Sequence, residues 1–197
     1  MRRLLLIPAL LIACEPAIRI NGSYRRSVGD KPTLAIVPVL NETSGASDVA
    51  FEAAFDKVKE RSTLVPIKPM RERLLRESGL RGLLIAVAQR AGDKDDLQRA
   101  PKVQDIIGAP GLEQLRGAFG SADVLLFPVS FESKVSLGST FDWMTYRLYD
   151  LRDGRIVFER ARDLHADKDN ENARRVLLLY LAVFACQDFE ERFLEAK

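Results

Sequence analysis

Two alternating apolar runs, Phe141–Leu151 and Arg155–Leu164, flank the dipeptide Asp153-Gly154. Glycine takes the positive φ of a tight turn without steric cost, so Asp-Gly between such runs is a strong hairpin signal. This commits the chain to a sheet with at least one antiparallel pair. Ala122–Ser133, just upstream, reads as a further strand.

The first half alternates element types. Thr33–Leu40 is rich in branched residues and reads as a buried strand, with Pro38 placing it at an edge or in a bulge. Ser47 or Asp48 is positioned to cap a helix in which Phe51, Ala54, Phe55 and Val58 form one apolar stripe. Thr63–Ile67 reads as another strand, followed by a helix that starts at Pro69, carries Met70 and Leu74, and ends at Gly79 with Leu80 closing the cap. In the stretch 83–120, Leu83–Arg90 is helical in composition, Asp93–Asp96 is polar, and Pro101–Pro110 is broken by Gly108 and both prolines, so the stretch reads as loosely ordered or inserted, with Pro110 opening a short helix through Leu112, Leu115 and Phe119. A last helix is expected over 171–195, around the apolar run Val176–Cys186, which is too short to span a bilayer and the right size for a core helix. With 47% hydrophobic and 29% charged residues the chain is globular. The expected class is α+β: a single mixed sheet of about five strands covered by helices, in one domain over 33–197, with an apolar C-terminal helix.

The amino terminus has a different logic. Arg2 and Arg3 precede the apolar run Leu4–Ile12 and the pair Ala13-Cys14, the layout of an export signal over residues 1–13. Leu11-Ile12-Ala13-Cys14 resembles the bacterial lipobox, which implies cleavage before Cys14 and acylation of that residue. Two or more acyl chains hold a protein firmly in a leaflet. Glu15 resembles the sorting signal of lipoproteins bound for the outer membrane, so the expected location is the periplasmic face of that membrane. Residues 14–32, rich in turn formers, read as the lipidated cysteine and a short tether. Cleavage removes two arginines and no acid, leaving 184 residues with 28 charges of each sign. A nucleic-acid partner is therefore not expected.

Chemistry-bearing motifs are sparse. With Cys14 acylated, Cys186 has no disulfide partner and reads as a small core hydrophobe. His165, with Asp163 and Asp167 nearby, reads as a solvated cluster rather than a metal site. No phosphate loop, Gly-x-Ser-x-Gly or paired-cysteine motif occurs. The expectation is a protein without enzymatic activity and without a cofactor beyond the covalent lipid on Cys14. Between Lys57 and Arg81 eight basic residues stand against three acids. Solvated helix faces explain such a run, and a partner or anionic headgroups could use it. Lys68, Arg71, Arg73 and Arg76, with Trp143 and Tyr146 on the hairpin, are the candidate partner-binding residues.

Several segments resemble a group of bacterial envelope lipoproteins. They are Leu34-Ala-Ile-Val-Pro-Val-Leu-Asn-Glu-Thr-Ser, Thr63-Leu-Val-Pro before a helix, Ser121-Ala-Asp-Val-Leu-Leu-Phe, and Tyr146-Arg-Leu-Tyr-Asp-Leu-Arg-Asp-Gly-Arg-Ile-Val-Phe. The group includes the penicillin-binding-protein activator LpoB, the curli-secretion lipoprotein and the amino-terminal domain of TolB. The resemblance implies that fold and a protein-binding role, either as activator of a peptidoglycan synthase or as a subunit of an oligomeric secretion or appendage assembly. Activators carry a long Pro-rich tether, whereas only 18 residues separate Cys14 from Thr33 here.

Overall fold

The computed structural model describes residues 18–22, 31–40, 45–91, 97–136, 139–166 and 170–195. The expected signal, Cys14 and most of the expected tether lie outside them. The described residues form one mixed sheet with helices on both faces. Its strands are β1 (Ile18–Ile20), β2 (Thr33–Ile36), β3 (Thr63–Leu64), β4 (Val124–Ser136), β5 (Ser139–Asp150) and β6 (Arg155–Ala166). They lie in the order β1-β6-β5-β4-β2-β3, with β2 parallel to β3 and β4 and the other pairs antiparallel. The turn before β6 has Gly154 at φ 69°, as the Asp-Gly signal required.

Helices α1 (Ala46–Phe55) and α5 (Glu171–Phe189) cover one face. The stripe of α1 meets the α5 run there, and Phe51, Phe55, Ala182, Ala185, Cys186 and Phe189 are all buried against Ile36, Leu148 and Phe158. The opposite face is covered by α2 (Ile67–Arg76), α3 (Ser78–Ala91) and α4 (Val103–Ala118). Leu84, Val87, Leu97, Val103, Leu112, Leu115 and Phe119 are all buried in that layer. The described part of 83–120 is therefore packed core rather than loosely ordered chain. The breakers within it re-aim helices without unravelling them: Gly108, at φ 74°, kinks α4 just ahead of Pro110.

Several local expectations are corrected. Strand β2 is interior, because it ends at Ile36 and Pro38 falls beyond the ladder, whose last bond runs from Val37 N–H to the Leu126 carbonyl at 2.9 Å. Helix α1 is preceded by Gly45 at φ 73°, and neither Ser47 nor Asp48 caps it. Asp48 sits in its first turn and binds Arg71. Helix α2 starts at Ile67, ahead of Pro69, and ends at Arg76. Gly79 belongs to α3. The end of α2 is instead closed by Arg81, whose guanidinium donates to the Leu74 and Leu75 carbonyls at 2.6 and 2.7 Å.

The largest departure is β1, which lies within the expected tether and adds a sixth strand. Ile18, Arg19 and Ile20 pair with Arg160, Glu159 and Phe158. Asn21, 4% exposed, continues the pairing: its N–H reaches the Val157 carbonyl at 3.0 Å and its side-chain amide the Ile156 carbonyl at 3.0 Å. The Arg19 guanidinium donates to Glu159, with Nε at 2.7 Å. Glu159 also accepts from Arg147 at 2.5 Å, and Arg147 donates to the Ala88 carbonyl of α3 at 2.8 Å. One buried carboxylate thus ties together β1, β5, β6 and α3.

Glu159→Gln leaves two guanidiniums sharing a neutral amide, with Arg147 almost fully buried. The expected loss is about 3 kcal/mol, as for removing one partner of a buried pair, measured by urea denaturation.

Candidate interaction surface

Strands β4, β5 and β6 are each 12 or 13 residues long and outrun the helices on the α3 side. Arg147, bonded to α3, marks where that cover ends. Beyond it the same face of β5 presents Phe141 and Trp143. Trp143 stands opposite Glu132 and Asp163 on the flanking strands, and Phe141 opposite Lys134 and His165. Period-two alternation puts all of these side chains on one face. The Phe141 ring stacks on Trp143 with centroids 5.8 Å apart and on His165 at 4.5 Å, with interplanar angles of 13° and 20°. Trp143 is 38% exposed, and Glu132, Lys134, Asp163 and His165 are exposed around it. A stacked aromatic centre with a charged rim is the layout of a protein-binding hot spot. Each ring is stacked on a neighbour above a three-stranded ladder.

The other candidates from the sequence are placed as follows. Tyr146 points to the α5 face, is fully buried and is part of the core, so it presents no binding surface. Its hydroxyl donates to Asp188 of α5, which also binds Arg160 at 2.7 Å. Burial pushes the Asp188 carboxyl above the usual range, opposed by the Tyr146 hydrogen bond and by Arg160. Burial likewise pushes the Tyr146 phenol up, reinforced by the adjacent Asp188 charge.

The basic cluster is largely compensated in space. Lys57 and Arg61 both bind Glu190, Lys59 binds Asp56 at 2.9 Å, and Arg71 binds Asp48. Arg73 pairs with Glu77 at 2.8 Å on its own helix. Lys68 and Arg76 are exposed on α2 and have no side-chain partner among the described residues. The structure therefore separates α2, with Lys68, Arg71, Arg73 and Arg76, from the aromatic ladder at Trp143. Phe141 and His165 are the ladder members that sequence reasoning passed over as a site. Their signal was the i, i+2 spacing of Phe141 and Trp143, read together with the hairpin register that sets His165 opposite Phe141.

Among the described residues no group of three or more His, Cys, Asp or Glu side chains converges as a metal site. The Cys186 thiol is buried in the core and pushed up to about 12, first by burial. A cleft of about 170 Å³ lined by Asn21, Leu97, Gln98, Lys102, Asp105 and Arg155 is smaller than the roughly 300 Å³ at which small-molecule sites begin. Among the described residues no helix is long and apolar enough to cross a membrane.

No family model matches the chain, and no curated protein matches it. Among solved structures it is similar to a PelC dodecamer subunit from Paraburkholderia phytofirmans, at 11% identity and TM-score 0.42, over 87% of this chain and 98% of that one. It is also similar to lipoprotein GNA1162 from Neisseria meningitidis, at 15% identity and TM-score 0.40, over 80% of this chain and 99% of that one. The hypothetical protein CT253 from Chlamydia trachomatis gives 11% identity and TM-score 0.41, over 81% and 96% of the two chains. At such scores the likenesses carry no argument, and the functional reading rests on the residues.

The raised Asp188 carboxyl sets a pH dependence. In the interval above its ordinary value of 3.8 the folded state holds a proton that the unfolded state has lost, so Asp188 contributes a loss of stability as pH rises through that interval. Asp188→Asn removes this contribution. Urea unfolding of both proteins between pH 4 and 7 should show the variant gaining relative to the parent as pH rises.

Proposed function

We propose that the chain is a lipid-anchored protein of the bacterial envelope, held at the periplasmic face of the outer membrane through Cys14, that acts without enzymatic activity by binding another protein. The observation that carries the reading is the exposed stack of Phe141, Trp143 and His165 beyond the helical cover.

The partner implied by the sequence resemblance is a peptidoglycan synthase, which the chain would activate. A second reading, a subunit of an oligomeric secretion or appendage assembly, is favoured by the placement of β1. With Ile18 paired into the sheet, the free tether from Cys14 shrinks from 18 residues to three. A domain held this closely meets partners in its own membrane more readily than synthases in the opposite one.

Replacing Trp143 by a photo-cross-linking residue in intact cells decides between them. Adducts with further copies of the chain or with outer-membrane assembly proteins support the second reading, adducts with a penicillin-binding protein the first, and no protein adduct contradicts both. Trp143→Ala should weaken capture of the partner roughly 30-fold, the equivalent of about 2 kcal/mol for a central aromatic anchor, with the unfolding midpoint little changed. Cys14→Ala should move the protein from the membrane to the soluble fraction on cell fractionation; retention in the membrane contradicts the anchor.

A further inference from the structure

The proposal that follows rests on acylation of Cys14. Only Glu15, Pro16 and Ala17 separate that residue from Ile18. A chain reaches at most about 3.6 Å per residue, so the acylated residue lies within about 14 Å of Ile18 whatever path the three residues take. Ile18 is not on a loose arm, because β1 is paired to β6 and pinned by Asn21 and Arg19. The lipid surface must therefore pass close to the β1 edge of the sheet.

That edge has the composition of an interfacial surface. Ile18 and Ile20 are 45% and 47% exposed, two large apolar side chains one residue apart on the same edge strand. Their register partners are Arg160 and Phe158, which places both isoleucines on the α5 face of the sheet. On that face the Arg192 guanidinium lies 5.3 Å from the centroid of the Phe158 ring, beside the partner strand of Ile20. Arg192 also lies 3.9 Å from the exposed Glu191, so it is the two exposed isoleucines that suit this edge to the boundary of a leaflet. The basic helix α2, by contrast, follows β3 at the opposite edge. Five strand spacings, about 24 Å, separate the two edges.

We propose that Ile18 and Ile20 dock the β1 edge onto the leaflet that holds the acyl chains, so that the lipid surface is a second, non-covalent ligand of the folded domain. Anchor and edge then act together: the acyl chains supply the residence time and the docked edge fixes the orientation of the domain.

The test uses the full mature protein, its acylation established by intact mass, in vesicles of phosphatidylethanolamine and phosphatidylglycerol. Bimane is attached at Ile18→Cys, at Ile20→Cys, or at Leu75→Cys on the exposed side of α2. Native Cys186 is buried, with its thiol pushed up to about 12, and does not compete for label. Lipids carrying a headgroup nitroxide should quench positions 18 and 20 about threefold more than position 75, and a flexible insertion of about 20 Gly/Ser residues between Cys14 and Ile18 should leave that difference in place. Equal quenching at the three positions, or a difference that vanishes with the insertion, overturns docking while leaving the anchor intact. Shielding at 18 and 20 without nitroxide quenching, together with a dimer in solution, gives the edge to a second copy and also overturns it. Absence of the acyl mass overturns the anchor and the docking together.

Discussion

The carboxylate of Glu159 accepts from Arg19 on its outer side and from Arg147 on its inner side, and Arg147 reaches on to the α3 backbone. A buried carboxylate is tolerated only when its charge is met and its lone pairs are used. Both conditions hold here only if β1 is in place, because Arg19 is one of the two cations. The edge strand is thus part of the electrostatic closure of the sheet. The same closure brings the folded domain to within four positions of Cys14 in sequence, so under the proposed acylation a local ion pair would set how far the domain can travel from its membrane.

The distribution of charge shows why composition along the chain misleads about surfaces. The stretch from Lys57 to Arg81 is basic in sequence. In space Asp48, Asp56 and Glu190, all from outside that stretch, sit against its cations. Glu190 alone ties the end of α1 to the turn after α5, so part of what reads as a binding patch is the seam between two helices. The aromatic residues divide in the opposite sense. Tyr146 and Tyr149 are consumed by the two cores, whereas Phe141 and Trp143 lie further along β5, where helical cover on the α3 side has ended.

The α+β class, the hairpin at Gly154, the apolar stripe of α1 and the buried C-terminal helix were legible because each rests on a strong local pattern or on turn chemistry that glycine satisfies. The β1 strand was not, since Ile18-Arg19-Ile20 is too short to show a period and its stability comes from residues about 140 positions away. The packing of 83–120 was hidden for a related reason: Gly108 and Pro110 look like breakers, yet they kink α4 so that both its halves reach the sheet. Of the candidate site, Trp143 was legible and Phe141, two residues before it on the same strand, was within reach of the spacing, whereas His165 was not, because a cross-strand stack depends on register rather than on spacing along the chain.

In this fold β1 belongs to the folded domain, paired to β6 and tied to Glu159 through Arg19. Amide hydrogen exchange at Asn21, whose N–H bonds to the Val157 carbonyl at 3.0 Å, tests it most directly. The account predicts protection comparable to that of the β6 amides and its loss in Glu159→Gln. Exchange at Asn21 as fast as in an unstructured peptide would contradict this, since β1 would then not belong to the sheet.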